Sequence, residues 1–298
     1  MEIVHELQMA GYRRPEPLLT VEAGRTPAQK RSPKLGRTSR VLAEQLSALR
    51  KDHDALRQML FEAAQMQRRL CGPRQIRRGS FEISGEIFPV QHVCGDFIRV
   101  FDKGDKLVLA LGDIGGKGLS AGMWFAYLIA TIQRHLLTNS AAALTAINDE
   151  LCSAQVAVPV STLFLASLDI RTGVIDYCNA GHPPALLLRQ SGEAETLEKG
   201  GPVLGIVSGA RFAGGESVLG VGDSLLAYSD GIVECRNAEG MEFGATRLAA
   251  AARLSHSSSA SGTLFSVLGA TEDFGGHQKR DDDMALLVVH RDEHSFNA

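Results

Sequence analysis

Apolar and polar positions recur with different periods in different regions of the chain. Between residues 41 and 70 there is no Gly or Pro, and apolar side chains recur at alternating steps of four and three. A period of about 3.5 residues is typical of a coiled-coil seam, so the pattern predicts a helix over residues 41–72 that pairs with another element. The seam positions are Leu42, Leu46, Leu49, His53, Leu56, Leu60, Ala63, Gln67 and Leu70.

Two interpretations of this helix stay open. Its outer face is densely charged, which favours a parallel coiled coil whose polar seam residues, His53 and Gln67, set the register. The alternative is one amphipathic helix that packs on its own domain. In both cases Cys71-Gly72-Pro73 is expected to end the helix, because Gly and Pro commonly follow helix ends.

The region before this helix has the composition of a flexible arm. Residues 13–40 contain Pro15, Pro17, Pro27 and Pro33 among many Arg and Lys residues, with few large apolar side chains. Such a segment buries too little apolar surface to fold. We therefore assign residues 1–40 to a solvated basic arm rather than to a nucleic-acid-binding arm.

A third pattern begins at residue 81. Short segments that alternate apolar and polar positions are separated by Gly and Asp, as is typical of strands joined by tight turns. Residues 97–101 and 106–111 flank one hairpin turn, and residues 162–169 and 173–179 flank another. Helical stretches lie between the strands, at 121–137, 141–153, 246–254 and 263–270. The sequence predicts an α+β layered domain over residues 73–293 rather than a wound βαβ sheet.

Composition narrows the class of protein. The chain has 298 residues, 44% of them hydrophobic, and can bury a large core. Its net charge of −3 gives no argument for nucleic acid or an anionic membrane as a partner. Five widely spaced cysteines without a C-x-x-C pair argue against a zinc cluster or a disulfide framework and suit a reducing cytoplasm. With no signal-like N-terminus and no apolar run near ~18 residues, the sequence predicts a cytoplasmic protein without a membrane span.

Aspartates lie at the ends of several predicted strands. Asp96 precedes one strand, Asp113 and Asp230 follow two others, and the run from Asp281 to Asp283 precedes the last. One such aspartate usually forms a turn by accepting backbone N–H groups. Several brought together would repel one another unless cations lay between them, and an all-oxygen site suits Mg²⁺ or Mn²⁺. Two such ions roughly 3.5–4 Å apart are suited to hydrolysis of a phosphate ester.

Six short segments carry a resemblance to a known family. They are residues 95–97, 112–118, 179–184, 201–205, 228–231 and 282–286. In these segments, and over residues from about 66 to 291, the chain resembles the PPM family of metal-dependent serine/threonine protein phosphatases. The similarity is to the bacterial subgroup named after the stage II sporulation protein E. It implies a sandwich of two antiparallel sheets flanked by helices, with metal ions at one edge.

The resemblance also implies a cofactor and its ligands. Two divalent cations, Mn²⁺ or Mg²⁺, are expected, and Asp113 would bridge both. Asp230 and Asp282 would complete the site of the first cation. Asp96 and the backbone carbonyl of Ile114 would serve the second. Water between the metals would attack phosphorus in line, without a phosphoenzyme.

Some positions near these ligands are ambiguous or depart from the subgroup. Asp282 is chosen as the ligand over its neighbours, with Asp283 interpreted as a supporting or strand-capping residue and Asp281 as solvated. Cys94 stands where the subgroup usually has Gly, and Ala285 stands where it usually has a hydroxyl residue. Neither change removes a ligand.

The implied substrate is phosphoserine or phosphothreonine on a regulatory protein, with a phosphorylated anti-anti-sigma factor as the best single choice. The helix at 41–70 would then form a homodimer or receive a regulatory partner. Two other functions stay open. One is a pseudophosphatase that binds a phosphoprotein without turnover. The other is a serine hydrolase, because Ser120 lies in a G-x-S-x-G motif at residues 118–122.

Overall fold

The structure, a computed structural model, describes residues 33–71, 75–116, 118–136, 139–155, 158–255 and 259–296. Most of the predicted basic arm, residues 1–32, lies outside the described residues. The chain divides into two units, Met1–His53 and Asp54–Ala298. Across the described ranges, no helix has both the length and the apolar composition that a membrane crossing requires.

The long helix predicted from the heptad pattern is α1 (Pro33–Cys71). It ends at Cys71, as the sequence predicted, but it begins at Pro33, so residues 33–40 are helical instead of part of the arm. In the first unit, the seam residues Leu42, Leu46 and Leu49 are exposed. In the second unit, Ala64 and Gln67 of α1 are buried. The last turns of the helix thus pack within the folded domain.

The remaining elements follow the predicted alternation of strands and helices. The helices are α2 (Leu119–His135), α3 (Ser140–Cys152), α4 (Asp230–Val233), α5 (Gly244–Arg253) and α6 (Ala260–Gly275). The strands are β1 (Gln75–Phe88), β2 (Phe97–Asp102), β3 (Lys106–Ile114), β4 (Ser161–Asp169), β5 (Val174–Ala180), β6 (Ala185–Leu188), β7 (Ala194–Leu197), β8 (Gly200–Gly201), β9 (Gly215–Val218), β10 (Ser224–Tyr228) and β11 (Met284–Phe296). The sequence pattern did not indicate the short elements β7, β8 and α4.

The strands form two sheets. Sheet A has the order β1-β11-β10-β6-β7, and sheet B has the order β2-β3-β4-β5-β8, with β9 also paired to β5. The pairs are antiparallel except for the short parallel contact between β5 and β8. The predicted fold class, an α+β sandwich of two sheets flanked by helices, is confirmed.

The central strands are apolar on both faces because each sheet is covered on both sides. In β3, Leu107, Leu109 and Leu111 face the core between the sheets, whereas Val108 and Ala110 face α2 and α3. In β11, Leu287 and Val289 face the same inter-sheet core, and the alternate residues pack against α5 and α6. Side chains of a strand point to opposite faces in turn, so two buried faces require a continuous apolar run.

Candidate metal centre

Sheet B brings Asp96 beside Asp113. Strands β2 and β3 are antiparallel, and Phe97 pairs with Gly112, so the residue before β2 lies next to the end of β3. Asp113 lies within β3, one residue before its end, whereas the sequence pattern placed it just after the strand. Its backbone N–H donates to Thr162 Oγ1 of β4 at 3.3 Å. The backbone N–H of Ile114 donates to the carbonyl of Gly95 at 3.3 Å.

Sheet A brings the other acidic residues to one edge. Strands β10 and β11 are antiparallel with Tyr228 opposite Leu286, so the end of β10 and the start of β11 lie side by side. Asp230 follows β10 and opens α4, while Asp282 and Asp283 precede β11. Gly231 lies against the carbonyl of Asp283, in a space that would not admit a side chain. The glycine in this segment therefore allows the close approach of the two aspartate positions.

The two sheet edges meet where Asp283, just before β11, accepts the N–H of Gly95, just before β2, at 3.1 Å. The aspartates at this edge also perturb one another's pKa. Burial raises the pKa of Asp113 to about 6, and the carboxylates of Asp230, Asp282 and Asp283 push it in the same direction. Burial likewise raises the pKa of Asp96 well above its ordinary value, opposed by a hydrogen bond from Ser229 and reinforced by Asp113, Asp283 and Asp230. Carboxylates that raise each other's pKa are close together, and a bound cation would relieve that repulsion.

The residues fit a divalent cation in three respects. The donors are carboxylate and carbonyl oxygens, which suit Mg²⁺ or Mn²⁺. Asp96 is 2% exposed, and its Oδ2 has no hydrogen-bond partner. At Gly95 a side chain would collide with the carboxylate of Asp113 and lie 2.6 Å from the Ile114 carbonyl oxygen. The absence of a side chain at Gly95 thus lets these two oxygen donors lie directly against the main chain that leads into Asp96.

The aspartates of this edge do not form a closed coordination site. Within the described ranges, no three His, Cys, Asp or Glu side chains converge tightly enough to hold an ion by themselves. Mg²⁺ usually keeps several waters and binds through only one or two carboxylates, so an open arrangement is compatible with it. The structure brings Asp96, Asp113, Asp230 and Asp282 to one region but does not by itself assign a ligand set.

The three consecutive aspartates before β11 have different environments. Asp283 points inward, where its Oδ1 accepts from the Val90 N–H at 2.7 Å and its Oδ2 accepts from the Gly95 N–H at 3.1 Å. Asp282 is exposed and accepts the N–H of Asp283 at 3.0 Å, and Asp281 is also exposed. Asp283 thus ties β11 to the segment that precedes Asp96, a link that depends on residues nearly two hundred positions apart.

His182 lies behind Asp113 and not in the open site. It is 5% exposed, and its Nδ1 is 2.8 Å from Thr162 Oγ1, the same atom that accepts the Asp113 N–H. Asn179 holds the turn by accepting the His182 N–H and donating to the His182 carbonyl. Burial lowers the pKa of His182 to about 3, partly opposed by the Tyr228 backbone. A neutral, enclosed imidazole fits a structural role better than that of a general acid.

Among the described residues, none is placed as a catalytic base for Ser120. It lies in the first turn of α2 and is exposed, and no described histidine hydrogen-bonds to it. A nucleophilic serine requires a base within hydrogen-bond reach, so the arrangement does not favour a serine hydrolase. Lys117, beside this motif, lies outside the described residues.

The two-sheet fold with aspartates at one edge is the arrangement that the resemblance to PPM-type phosphatase domains implied, and comparisons with known proteins agree. The family model described as Stage II sporulation protein E (SpoIIE) matches residues 103–292. The chain belongs to this family, and the resemblance to the PPM-type phosphatases of the same subgroup is confirmed.

Individual relatives match most of the domain. Phosphoserine phosphatase RsbU of Bacillus subtilis is 25% identical over 181 residues, which cover 60% of this chain and 54% of RsbU. The chain therefore spans about half the length of that relative. The RsbU and RsbW domains of Rv1364c from Mycobacterium tuberculosis align with a TM-score of 0.63 and 26% identity, covering 74% of this chain and 62% of that one.

The SiaA-PP2C domain of Pseudomonas aeruginosa is similar in fold. It aligns with a TM-score of 0.69 at 16% identity, covering 83% of this chain and 99% of the domain. At that identity the likeness concerns the fold alone.

Proposed function

We propose that the chain is a metal-dependent protein phosphatase that removes phosphate from phosphoserine or phosphothreonine of a regulatory protein. The observation that carries the proposal is that strand pairing and the Gly95–Asp283 hydrogen bond bring the chain segments of Asp96, Asp113, Asp230 and Asp282 to one edge. The raised pKa values of Asp96 and Asp113 agree with it. Membership of the SpoIIE family and similarity to a phosphoserine phosphatase support it.

In this proposal Asp113 would be a ligand shared by two divalent cations, Mn²⁺ or Mg²⁺. Asp230 and Asp282 complete the site of the first cation, and Asp96 with the Ile114 carbonyl serves the second. Bound there, the cations would supply a metal-activated water as nucleophile and charge neutralisation at the phosphoryl oxygens. The departures from the subgroup leave these donors in place, because Ala285 lies in the core between the sheets and Cys94 faces α1.

Hydrogen bonds to the main chain hold the mutually repelling carboxylates of this site in place. Asp283 anchors the main chain at Gly95, and Thr162 anchors it at Asp113. The raised pKa of Asp113, about 6, means that cations and protons compete for it. Cation binding is therefore expected to weaken as the pH falls toward 6, because the ligand must lose its proton.

The proposed substrate is a phosphorylated anti-anti-sigma factor, the substrate class that the resemblance implies. The proposed role of α1 is to form a homodimer or to receive a regulatory partner. Support comes from the exposed apolar residues of its seam, including Leu42, Leu46, Leu49 and Leu56.

The test is hydrolysis of a phosphoserine peptide and of para-nitrophenyl phosphate by the purified chain with Mn²⁺. Turnover is expected with Mn²⁺ and is expected to disappear with EDTA. Asp113→Asn should lower kcat by roughly a hundredfold or more, because the bridging charge is lost. Asp105→Asn, in the exposed turn between β2 and β3, is the matched control and should leave kcat unchanged.

The alternatives give different results in the same assay. Metal-independent turnover that Ser120→Ala abolishes would indicate a serine hydrolase. Binding of a phosphoprotein without metal-dependent turnover on any substrate would indicate a pseudophosphatase and contradict the proposal.

A further inference from the structure

Gln67 is a buried polar residue on a helix whose neighbouring positions are exposed. Its side chain is 6% exposed, whereas Met66 is 56% exposed and Gln65 is also exposed. Of the two interpretations left open by the sequence, the coiled coil would have Gln67 set its register, and the other would pack the helix on its own domain. In the structure both polar atoms of Gln67 contact one residue of the domain: Nε2 donates to the Cys94 carbonyl at 2.7 Å, and Oε1 accepts the Cys94 N–H at 3.2 Å.

This contact adjoins the candidate metal centre. Cys94 is 6% exposed, and its thiol donates to the carbonyl oxygen of Asp96 at 3.2 Å. Between them, Gly95 donates its N–H to Asp283 and accepts the N–H of Ile114. Residues 94–96 are therefore held by α1 on one side and by β11 and the end of β3 on the other.

The position of this segment decides where the Asp96 carboxylate lies. Gly95 is packed so closely against Asp113 and Ile114 that the segment cannot move toward them. On the opposite side, the amide of Gln67 holds the Cys94 main chain through two hydrogen bonds. A buried N–H and C=O without partners would be unfavourable, so loss of the amide would lead the segment to shift or open toward water.

We propose that Gln67 is a positioning residue for Asp96, so that the last turns of α1 form part of the metal centre. The inference rests on the proposed function. Replacing a residue that orients a metal ligand without touching the metal usually weakens metal affinity by about 10–100-fold. An amide that only fastened α1 to the domain would affect stability and leave metal affinity unchanged.

The test compares Gln67→Met with Gln65→Met in the full chain. Methionine preserves the length of the side chain and removes both polar atoms, and Gln65 is the matched exposed position on the same helix. Mn²⁺ affinity is measured by isothermal titration calorimetry, and hydrogen exchange of the Cys94 and Gly95 amides is measured without metal. For Gln67→Met we expect about tenfold or weaker Mn²⁺ affinity and faster exchange at both amides. Gln65→Met should match the wild type.

The outcomes separate this inference from the proposed function. If Gln67→Met binds Mn²⁺ as tightly as the wild type, Gln67 is an anchor for α1 and the inference is wrong. If the wild type itself binds no Mn²⁺, the proposed function fails and the inference fails with it. Should Gln67→Met not fold, Gln67→Asn takes its place. That variant keeps the amide but is one methylene shorter, so the amide no longer reaches Cys94. Weaker Mn²⁺ affinity than the wild type would support the inference, and equal affinity would contradict it.

Discussion

At the scale of single residues, the α-carbon of Gly95 has no room for a methyl group. A methyl there would collide with the Asp113 carboxylate and lie 2.6 Å from the Ile114 carbonyl oxygen. Gly95→Ala should therefore lower the free energy of unfolding by about 1–3 kcal/mol, the usual cost of overpacking, and weaken Mn²⁺ binding. Urea denaturation and calorimetry measure the two effects.

Gly269→Ala is the control for this substitution. Gly269 lies inside α6 and is exposed, and a methyl group there meets no atom within 4 Å. Because alanine is the better helix former, the change should stabilise the protein by about 0.5–1 kcal/mol and leave Mn²⁺ binding intact. Equal effects of the two substitutions would contradict the proposed packing at Gly95.

His182 gives the stability of the domain a definite pH dependence. Its pKa is lowered by burial from 6.5 to about 3, so below pH 6.5 the unfolded chain binds a proton that the folded chain does not. This contribution is complete above pH 6.5 and is lost as the pH falls toward 3. In EDTA, the stability advantage of the wild type over His182→Asn should shrink by about 2 kcal/mol between pH 7.5 and 5.

Urea unfolding at the two pH values tests this expectation. His277→Asn, at an exposed position, is the matched control. If the difference in free energy of unfolding between the wild type and His182→Asn stays constant from pH 7.5 to 5, folding does not lower the pKa of His182 and the expectation is wrong.

At the scale of elements, α1 has two parts with different surroundings. The residues near its end are buried in the domain, whereas Leu46 and Leu49 on the seam are 47% and 66% exposed. If the proposed homodimer forms through this seam, Leu46→Lys with Leu49→Lys should convert it to a monomer, because like charges would be buried between the helices. Analytical ultracentrifugation measures the change.

Ala48→Lys, outside the seam on the same turns of α1, should leave the proposed dimer intact. A dimer that survives the double substitution at Leu46 and Leu49 would place the interface elsewhere. A wild-type monomer would contradict the homodimer outright.

At the scale of the whole molecule, stability should be linked to cation binding. An ion that binds the folded state at a concentration of 100 times its Kd stabilises it by about 2.7 kcal/mol, which corresponds to a rise in Tm of about 5–10 °C for a domain of this size. Differential scanning fluorimetry with and without Mn²⁺ measures the shift.

Asp113→Asn should raise Tm in the absence of metal and abolish the rise in Tm that Mn²⁺ produces. The raised pKa of Asp113 means that its charge is unfavourable in the folded state without metal, so the neutral amide should raise Tm in EDTA at pH 8. For the same reason the wild type without metal should gain stability from this group as the pH falls from 8 through 6. The Mn²⁺-induced shift should disappear in the variant. A variant that keeps the shift would show that Asp113 is not a ligand.

Much of the fold could be predicted because the information is local. The alternation of apolar residues indicated most strands and helices, and Gly and Asp marked the hairpin turns. The short elements β7, β8 and α4 were missed because two to four residues carry no clear period. Their formation depends on pairing and packing with neighbours. The extent of α1 before residue 41 was also missed, since Pro and basic residues there resemble a disordered arm.

The residue pattern by itself determined the α+β class and the presence of aspartates at strand ends, whereas the two-sheet sandwich was implied by the family resemblance. The resemblance implied that the four aspartates share one site, but only the tertiary structure decided how: the start of β2 and the end of β3 in sheet B meet the end of β10 and the start of β11 in sheet A. The structure also shows that Gln67, a seam position in the sequence pattern, hydrogen-bonds to the main chain of Cys94. The physical reason is that periodicity reports which side of an element is buried, whereas the partner of that side is set by packing between residues distant in sequence.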